Sequence, residues 1–126
     1  MPADLRVYFV TDRDLCARFG VVQTALKAIA GGATLLQLRD PVAKGRELYE
    51  LARAFVDALR PHDVPLIVND RPDIARAAGA AGVHVGQDDA PVEIARAIMG
   101  PDAIIGLSIT DPAQLAAVPE GLVDHF

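Results

Sequence analysis

Short apolar runs alternate along the chain with longer segments in which apolar residues recur at helical spacing. The runs predict five β-strands, at residues 7–11, 34–38, 65–68, 82–85 and 104–108. The longer segments predict five helices, at residues 21–30, 45–59, 73–78, 91–99 and 112–118. Residues 123–126 have the pattern expected at the start of a sixth strand. The chain is therefore predicted to repeat a strand–helix unit.

The repeated strand–helix order predicts an α/β fold built on a parallel sheet. Several strands are apolar throughout, which is typical of strands buried on both faces. A doubly wound open sheet and a TIM (β/α) barrel both fit this order. The G-x-G-x-x-G fingerprint is missing after the first strand, so a dinucleotide-binding fold has no support. A full barrel takes about 200 residues or more. A barrel of 126 residues would thus be incomplete, and we expect residues 1–126 to form one domain, the N-terminal part of such a barrel.

Composition and charge narrow the class of protein. Hydrophobic residues make up 52% and charged residues 23%, which favours a sizeable core over disorder. The net charge of −5 argues against nucleic acid as a partner, but a small phosphorylated substrate needs only local cations and helix N-termini. Cys16 has no second cysteine to pair with, and no apolar run is long enough to span a bilayer. With no signal-peptide pattern either, we expect a soluble cytoplasmic protein with no membrane partner.

Polar residues concentrate at the predicted carboxyl ends of the strands, where both architectures bind ligands. These residues are Thr11, Asp12, Gln37, Arg39, Asp40, Asn69, Asp70, His84, Gln87, Asp88, Asp89 and Ser108. The opposite ends carry mainly Gly, Ala and Pro. This asymmetry predicts an active site on one rim of the sheet.

Each polar residue also has a simpler explanation. Asp12, Asp70 and Asp89 could cap helices or turns, because acids favour those positions. Arg39 and Asp40 could form a surface ion pair of little energetic value. His84 could be a hydrogen-bonded core residue and Ser108 a turn residue, and we assign no role to His62 or His125.

Taken together, the residues favour a magnesium and phosphate site. Asp70 and Asp89 follow adjacent strands, and a few carboxylates with waters and phosphates are what Mg²⁺ prefers. Arg39 could hold a phosphate through two N–H groups, and Asn69 could donate to another oxygen. The single Cys and dispersed His residues argue against zinc. The chain has no nucleophile elbow, which argues against a hydrolase.

Four stretches, GGATLLQLRD, PLIVNDRPDIA, GAAGVHVGQDD and GPDAIIGLS, resemble the thiamine-phosphate synthase (thiamine-phosphate pyrophosphorylase) family in sequence, order and spacing. The resemblance implies a TIM barrel. It also implies a transferase that joins hydroxymethylpyrimidine diphosphate to a thiazole phosphate and releases pyrophosphate, with Mg²⁺ as cofactor.

The resemblance further implies roles for individual residues. Mg²⁺ would be held by Asp70 and Asp89. The substrate-binding residues would be Gln37, Arg39, Asn69, His84 and Ser108, with Arg39 and Ser108 closest to the chemistry at the diphosphate. The chain departs from the family at Pro41, where a Lys is common, and we expect Lys44 to reach the diphosphate from the same loop.

Two alternatives stay open. One is a thiazole tautomerase, a related barrel that needs no metal; the retained acids favour the synthase over it. The other is a non-catalytic truncated remnant, in which open strand edges and apolar inner faces would favour self-association. If the 126 residues were the whole product, we would expect no turnover by this chain alone.

Overall fold

Five parallel strands form one sheet in the same order as they occur in the chain. The structure is a computed structural model and describes residues 3–126. The strands are β1 (Tyr8–Val10), β2 (Leu35–Leu38), β3 (Leu66–Asn69), β4 (Gly82–Val85) and β5 (Ile104–Leu107). Each neighbouring pair is parallel.

A helix follows every strand. The helices are α1 (Val21–Ala30), α2 (Gly45–Leu59), α3 (Pro72–Ala78), α4 (Val92–Met99) and α5 (Pro112–Ala116), and a 3₁₀ turn at Arg60–His62 follows α2. The helix ends have local causes: Asp111 caps α5 by accepting from the Gln114 N–H at 2.9 Å, and Gly79 ends α3 in the left-handed conformation. No helix within residues 3–126 is long and apolar enough to cross a membrane.

The strand order decides between the two predicted architectures. A doubly wound sheet reverses its strand order part-way, whereas a barrel adds each strand beside the previous one. The observed order is the sequential one, so the predicted TIM-barrel type is confirmed. Within the described part of the chain β1 and β5 do not pair, and the barrel is incomplete as predicted.

The sheet has two apolar faces of unequal size. The larger core lies between the sheet and the helices, where Phe55 of α2 is fully buried with Leu36 and Val68. Burying a side chain of this kind contributes about 2–3 kcal/mol. The inner face carries a smaller cluster around Leu35 and Ile67. Because side chains alternate along a strand, Gln37 shares this inner face with Leu35.

The predicted elements agree with the observed ones to within a residue or two, with one exception. Residues 123–126, predicted as the start of a sixth strand, make one isolated parallel bridge, between Gly106 and His125. The segment around this bridge otherwise consists of turns and bends, so a ladder does not extend from it. The predicted start of a sixth strand is therefore seen as a single parallel bridge to β5, the strand that a sixth strand would pair with.

Candidate metal and diphosphate site

Two aspartates lie together at the carboxyl ends of β3 and β4. Asp70 directly follows β3, and its N–H donates to the His84 carbonyl at 2.8 Å, which ties it to the neighbouring strand. Asp70 has a φ of 69°, a left-handed conformation that is uncommon outside glycine but favoured by Asp and Asn. Asp89 belongs to the turn after β4, where its carboxylate accepts from the Gly86 N–H at 2.7 Å.

Neither aspartate caps a helix. Helix α3 begins after Arg71 and α4 after Pro91, and neither end has a side-chain cap. The simpler explanation does hold for Asp12, whose carboxylate accepts from the N–H groups of Asp14 and Leu15 at 3.0 Å each. Asp89 uses only Oδ2 for its bond to the Gly86 N–H, and Asp70 accepts from no backbone N–H among the described residues, so each keeps a carboxylate oxygen for a ligand.

The charge of the Asp70 carboxyl group depends on its neighbours. The pKa of Asp70 is raised to about 6, first because the group is partly buried and then because Asp89 hydrogen-bonds to it and repels its charge. The positive charge of Arg39 and a hydrogen bond from Asn69 act in the opposite direction. A bound divalent cation would reduce the repulsion between these two carboxylates, which the charge of Arg39 only partly offsets.

Among the arginines of this rim, Arg39 is the one whose side chain makes no hydrogen bond or ion pair within residues 3–126. Arg13 donates to Asp40 at 2.6 Å and to Glu47 at 2.7 Å, and Arg71 pairs with Asp73 at 2.8 Å. The alternative explanation of Arg39 and Asp40 as an ion pair therefore does not hold, since Asp40 pairs with Arg13.

Asp40 serves the loop after β2. Partial burial raises the pKa of Asp40, but the hydrogen bond from Arg13 and those from the Val42 and Ala43 N–H groups outweigh it and leave the pKa lowered. Arg39 itself is held through its backbone N–H, which donates to Thr11 Oγ1 at 3.1 Å. Its side chain is exposed and free to reach an anion.

The two carboxylates could serve as ligands for a divalent cation such as Mg²⁺. Within the described residues no group of three or more His, Cys, Asp or Glu side chains is arranged to hold a metal. A pair of carboxylates is nevertheless enough for Mg²⁺, which keeps several waters and takes the rest of its ligands from substrate phosphates. Asp70 and Asp89 would be its protein ligands.

Comparison with known proteins identifies the family. The family model described as "Thiamine monophosphate synthase" matches residues 7–126. The chain belongs to the thiamine monophosphate synthase family.

Relatives in this family are close in sequence and fold. The chain is 57% identical to the thiamine-phosphate synthase of Azorhizobium caulinodans, over 98% of this chain and 58% of that one. It is 52% identical to the synthase of Xanthobacter autotrophicus, over 99% of this chain and 59% of that one. The solved thiamine phosphate pyrophosphorylase of Pyrococcus furiosus superposes with a TM-score of 0.75 at 39% identity, over 83% of this chain and 50% of that chain. The chain thus spans a little over half the length of the curated relatives.

A second set of the predicted substrate-binding residues lies on the inner face of the sheet. Gln37 is buried and its Nε2 donates to the Tyr8 hydroxyl at 2.8 Å. His84 Nε2 and Ser108 Oγ are 2.8 Å apart, and the Ser108 carbonyl accepts from Gln87 Nε2 at 2.9 Å. The side chains of Gln37, His84 and Ser108 therefore each have a hydrogen-bond partner, although Ser108 is exposed to solvent.

Lys44 differs from the other predicted residues. It is exposed, it stands just before α2, and its side chain has no hydrogen bond or ion pair within residues 3–126. Its predicted contact with a diphosphate stays a prediction.

Two residues of the rim were given no individual role from the sequence. Thr11 is 2% exposed and orients Arg39 through the hydrogen bond described above. His125 is also buried, on the inner face beside His84. The position of Thr11 at a strand end was a usable signal. His125 gave a weaker one, because it falls in a segment with no regular strand.

Proposed function

We propose that this chain supplies the Mg²⁺ and diphosphate site of a thiamine-phosphate synthase. The reaction would join hydroxymethylpyrimidine diphosphate to a thiazole phosphate and release pyrophosphate. The observation that carries the proposal is the pairing of Asp70 with Asp89 at the strand ends, with the side chain of Arg39 nearby. Membership of the family and synthases at up to 57% identity support it.

The proposed roles follow from where charge develops. As the bond between the pyrimidine methylene carbon and the diphosphate oxygen breaks, negative charge grows on the leaving diphosphate. Arg39 would stabilise it with two N–H donors, and the Asn69 side-chain amide would donate to another oxygen. Mg²⁺ bound at Asp70 and Asp89 would supply further positive charge on the same oxygens.

The remaining predicted residues would act on the two ends of the substrate. Ser108, held by His84, would donate to the diphosphate near the reacting bond. Gln37 and His84 would contact the pyrimidine from the inner face of the sheet, and Lys44 would reach the diphosphate from its loop. No step requires a strong base, because the main task is to stabilise a leaving group.

The proposal includes the setting of the reaction. The partners would be small molecules, not nucleic acid or membrane. A cytoplasmic location is supported by the buried Cys16, which has no second cysteine in these 126 residues to pair with and so suits a reducing compartment.

Turnover assays on Arg39 variants would test the proposal. In the protein that carries this chain, Mg²⁺ should permit conversion of the two substrates to thiamine phosphate. Arg39→Gln should lower kcat/KM by roughly 100-fold, the scale of losing one preorganised charge donor at the leaving group. Arg46→Gln, an exposed arginine on α2, is the matched control and should leave the rate unchanged.

The proposal fails if no thiamine phosphate forms with Mg²⁺ and both substrates present. It also fails if the Arg39 and Arg46 variants have equal rates.

A further inference from the structure

His125 is a buried histidine whose ring has no protein partner. Its exposed fraction is 7%, and neither ring nitrogen makes a hydrogen bond within residues 3–126. Leaving a buried polar group unpaired is destabilising, so such groups usually have a partner in the functional state. The two nitrogens of His125 therefore need an explanation that the folded chain does not provide.

The position of His125 is set by its backbone. The Leu107 N–H donates to the His125 carbonyl at 3.1 Å, and the Asp124 N–H donates to the Ile105 carbonyl at 2.8 Å. The Asp124 carboxylate also accepts from the Ile105 N–H at 2.8 Å and from Arg96 at 3.0 Å. These bonds attach the segment to β5, so the ring of His125 is held in place rather than swinging in solvent.

His125 stands level with two residues of the proposed site. Asn69 is opposite His84 in the sheet, His84 is opposite Gly106, and Gly106 is opposite His125. The rings of His84 and His125 have centroids 5.7 Å apart, and Tyr8 meets His125 edge to face at the same separation. Tyr8 in turn holds Gln37.

Gly106 gives the two histidine rings their space. A Cβ at this position would overlap His84 Nδ1 and His125 Nε2. One nitrogen of each ring therefore lies over Gly106, which has no side chain. His84 Nδ1 also lacks a protein partner, so two rings offer unpaired nitrogens on the same inner face.

We propose that His125 binds the heteroaromatic ring of the diphosphate substrate, donating to or accepting from a polar atom on the ring's edge. This inference rests on the proposed function and adds a ring-recognition residue to it. Burial lowers the pKa of His125 despite the opposing charge of Asp124, so its imidazole is neutral near pH 7. A neutral imidazole offers one donor and one acceptor, which suits a ring carrying both nitrogen acceptors and an amino group.

Two ligands separate ring recognition from diphosphate binding. Hydroxymethylpyrimidine diphosphate and inorganic pyrophosphate are titrated calorimetrically, each with Mg²⁺, into the protein that carries this chain. His125→Phe keeps an aromatic ring but removes the nitrogens. It should weaken the pyrimidine diphosphate roughly tenfold, the effect of one lost hydrogen bond to a buried partner, and leave pyrophosphate within about twofold. His62→Phe, at an exposed histidine, should change neither.

A measurement on the unsubstituted protein covers the case in which His125→Phe fails to fold. The ring ¹⁵N resonances of His125 should shift when the pyrimidine diphosphate is added, and should not shift with pyrophosphate.

Equal weakening of both ligands by His125→Phe would overturn the inference, because it would show a structural role. Unchanged binding of both ligands, or ring resonances that do not respond, would overturn it as well. The diphosphate site would survive those results. If the unsubstituted protein binds neither ligand with Mg²⁺, the proposed function itself fails and the inference falls with it.

Discussion

Asp70 is an acid whose surroundings oppose its ionisation. Partial burial and the neighbouring Asp89 raise its pKa from 3.8 to about 6. In the unfolded chain Asp70 would titrate at its ordinary value. The folded protein without metal therefore pays a free-energy cost above pH 6, where both states are ionised, and the cost disappears below pH 3.8, where both are protonated. This cost is expected of two carboxylates placed to bind a cation, because the positive charge of the cation would offset it.

Replacing Asp70 by Asn should accordingly stabilise the metal-free protein. We expect a gain in the free energy of unfolding on the order of 1 kcal/mol at pH 7.5, allowing for solvent around a partly exposed group, and little gain at pH 4. Asn also tolerates the left-handed backbone at this position. Urea unfolding in EDTA at the two pH values measures the effect.

Asp63→Asn is the matched control, because Asp63 has a φ of 55° and is exposed. It should change stability little at either pH. A loss of stability in Asp70→Asn at pH 7.5, or a gain that does not depend on pH, would contradict this account of Asp70.

The site residues predicted from the sequence lie at the end of a strand or in the turn that follows it. Asp70 and Asp89 follow β3 and β4, and Arg39 follows β2, so the shared edge of a parallel sheet brings them together. Pairings between loops could not be read in this way. Arg13 reaches Asp40 across 27 positions of sequence, and that contact depends on how two loops fold over the rim.

At the scale of elements, strand β5 carries a closely packed residue on the inner face of the sheet. Gly106 lies between His84 and His125, and any side chain there would collide with both rings. The site therefore depends on a glycine in the middle of a strand, where glycine otherwise weakens the structure.

Gly106→Ala should lower the free energy of unfolding by about 1–3 kcal/mol, because one extra methyl group in a filled space forces neighbours to move. Gly31→Ala is the control: a Cβ there would meet only ordinary contacts at 3.5 and 3.6 Å, in a right-handed helical conformation. Urea unfolding of both variants measures the difference. Equal stability of the two would show that the histidine rings are not fixed over Gly106.

Most elements were predictable because their patterns are local. The core face of α2 has helical spacing, and Pro72 begins α3 at a position where proline fits the first turn. Pro91 was predicted inside α4 but has ψ of 148°, so it precedes the helix instead. The sixth strand could not be judged locally, since strand identity depends on a ladder and residues 123–126 make only one bridge.

At the scale of the whole molecule, the sequential strand order leaves β1 at one edge of the sheet. Val7, just before β1, and Val10, its last residue, are 50% and 43% exposed. An edge of this kind offers unpaired N–H and C=O groups to another chain.

We predict that the 126-residue chain, expressed on its own, self-associates as concentration rises. Val10→Lys should reduce the effect, because an edge lysine opposes strand pairing. Val42→Lys, in an exposed loop, should not. Light scattering coupled to size-exclusion chromatography measures the mass, and a monomer at every concentration would contradict the prediction.

The central claim is that Asp70 and Asp89 form the Mg²⁺ site that holds a diphosphate. The most direct test is calorimetric titration of hydroxymethylpyrimidine diphosphate into the protein, once in the presence of Mg²⁺ and once in EDTA. Binding should be stronger with Mg²⁺ by at least roughly tenfold, which corresponds to about 1.4 kcal/mol. Asp89→Asn should remove that dependence, whereas Asp88→Asn, its exposed neighbour, should keep it. Equal affinity with and without Mg²⁺, or full Mg²⁺ dependence in Asp89→Asn, would contradict the claim.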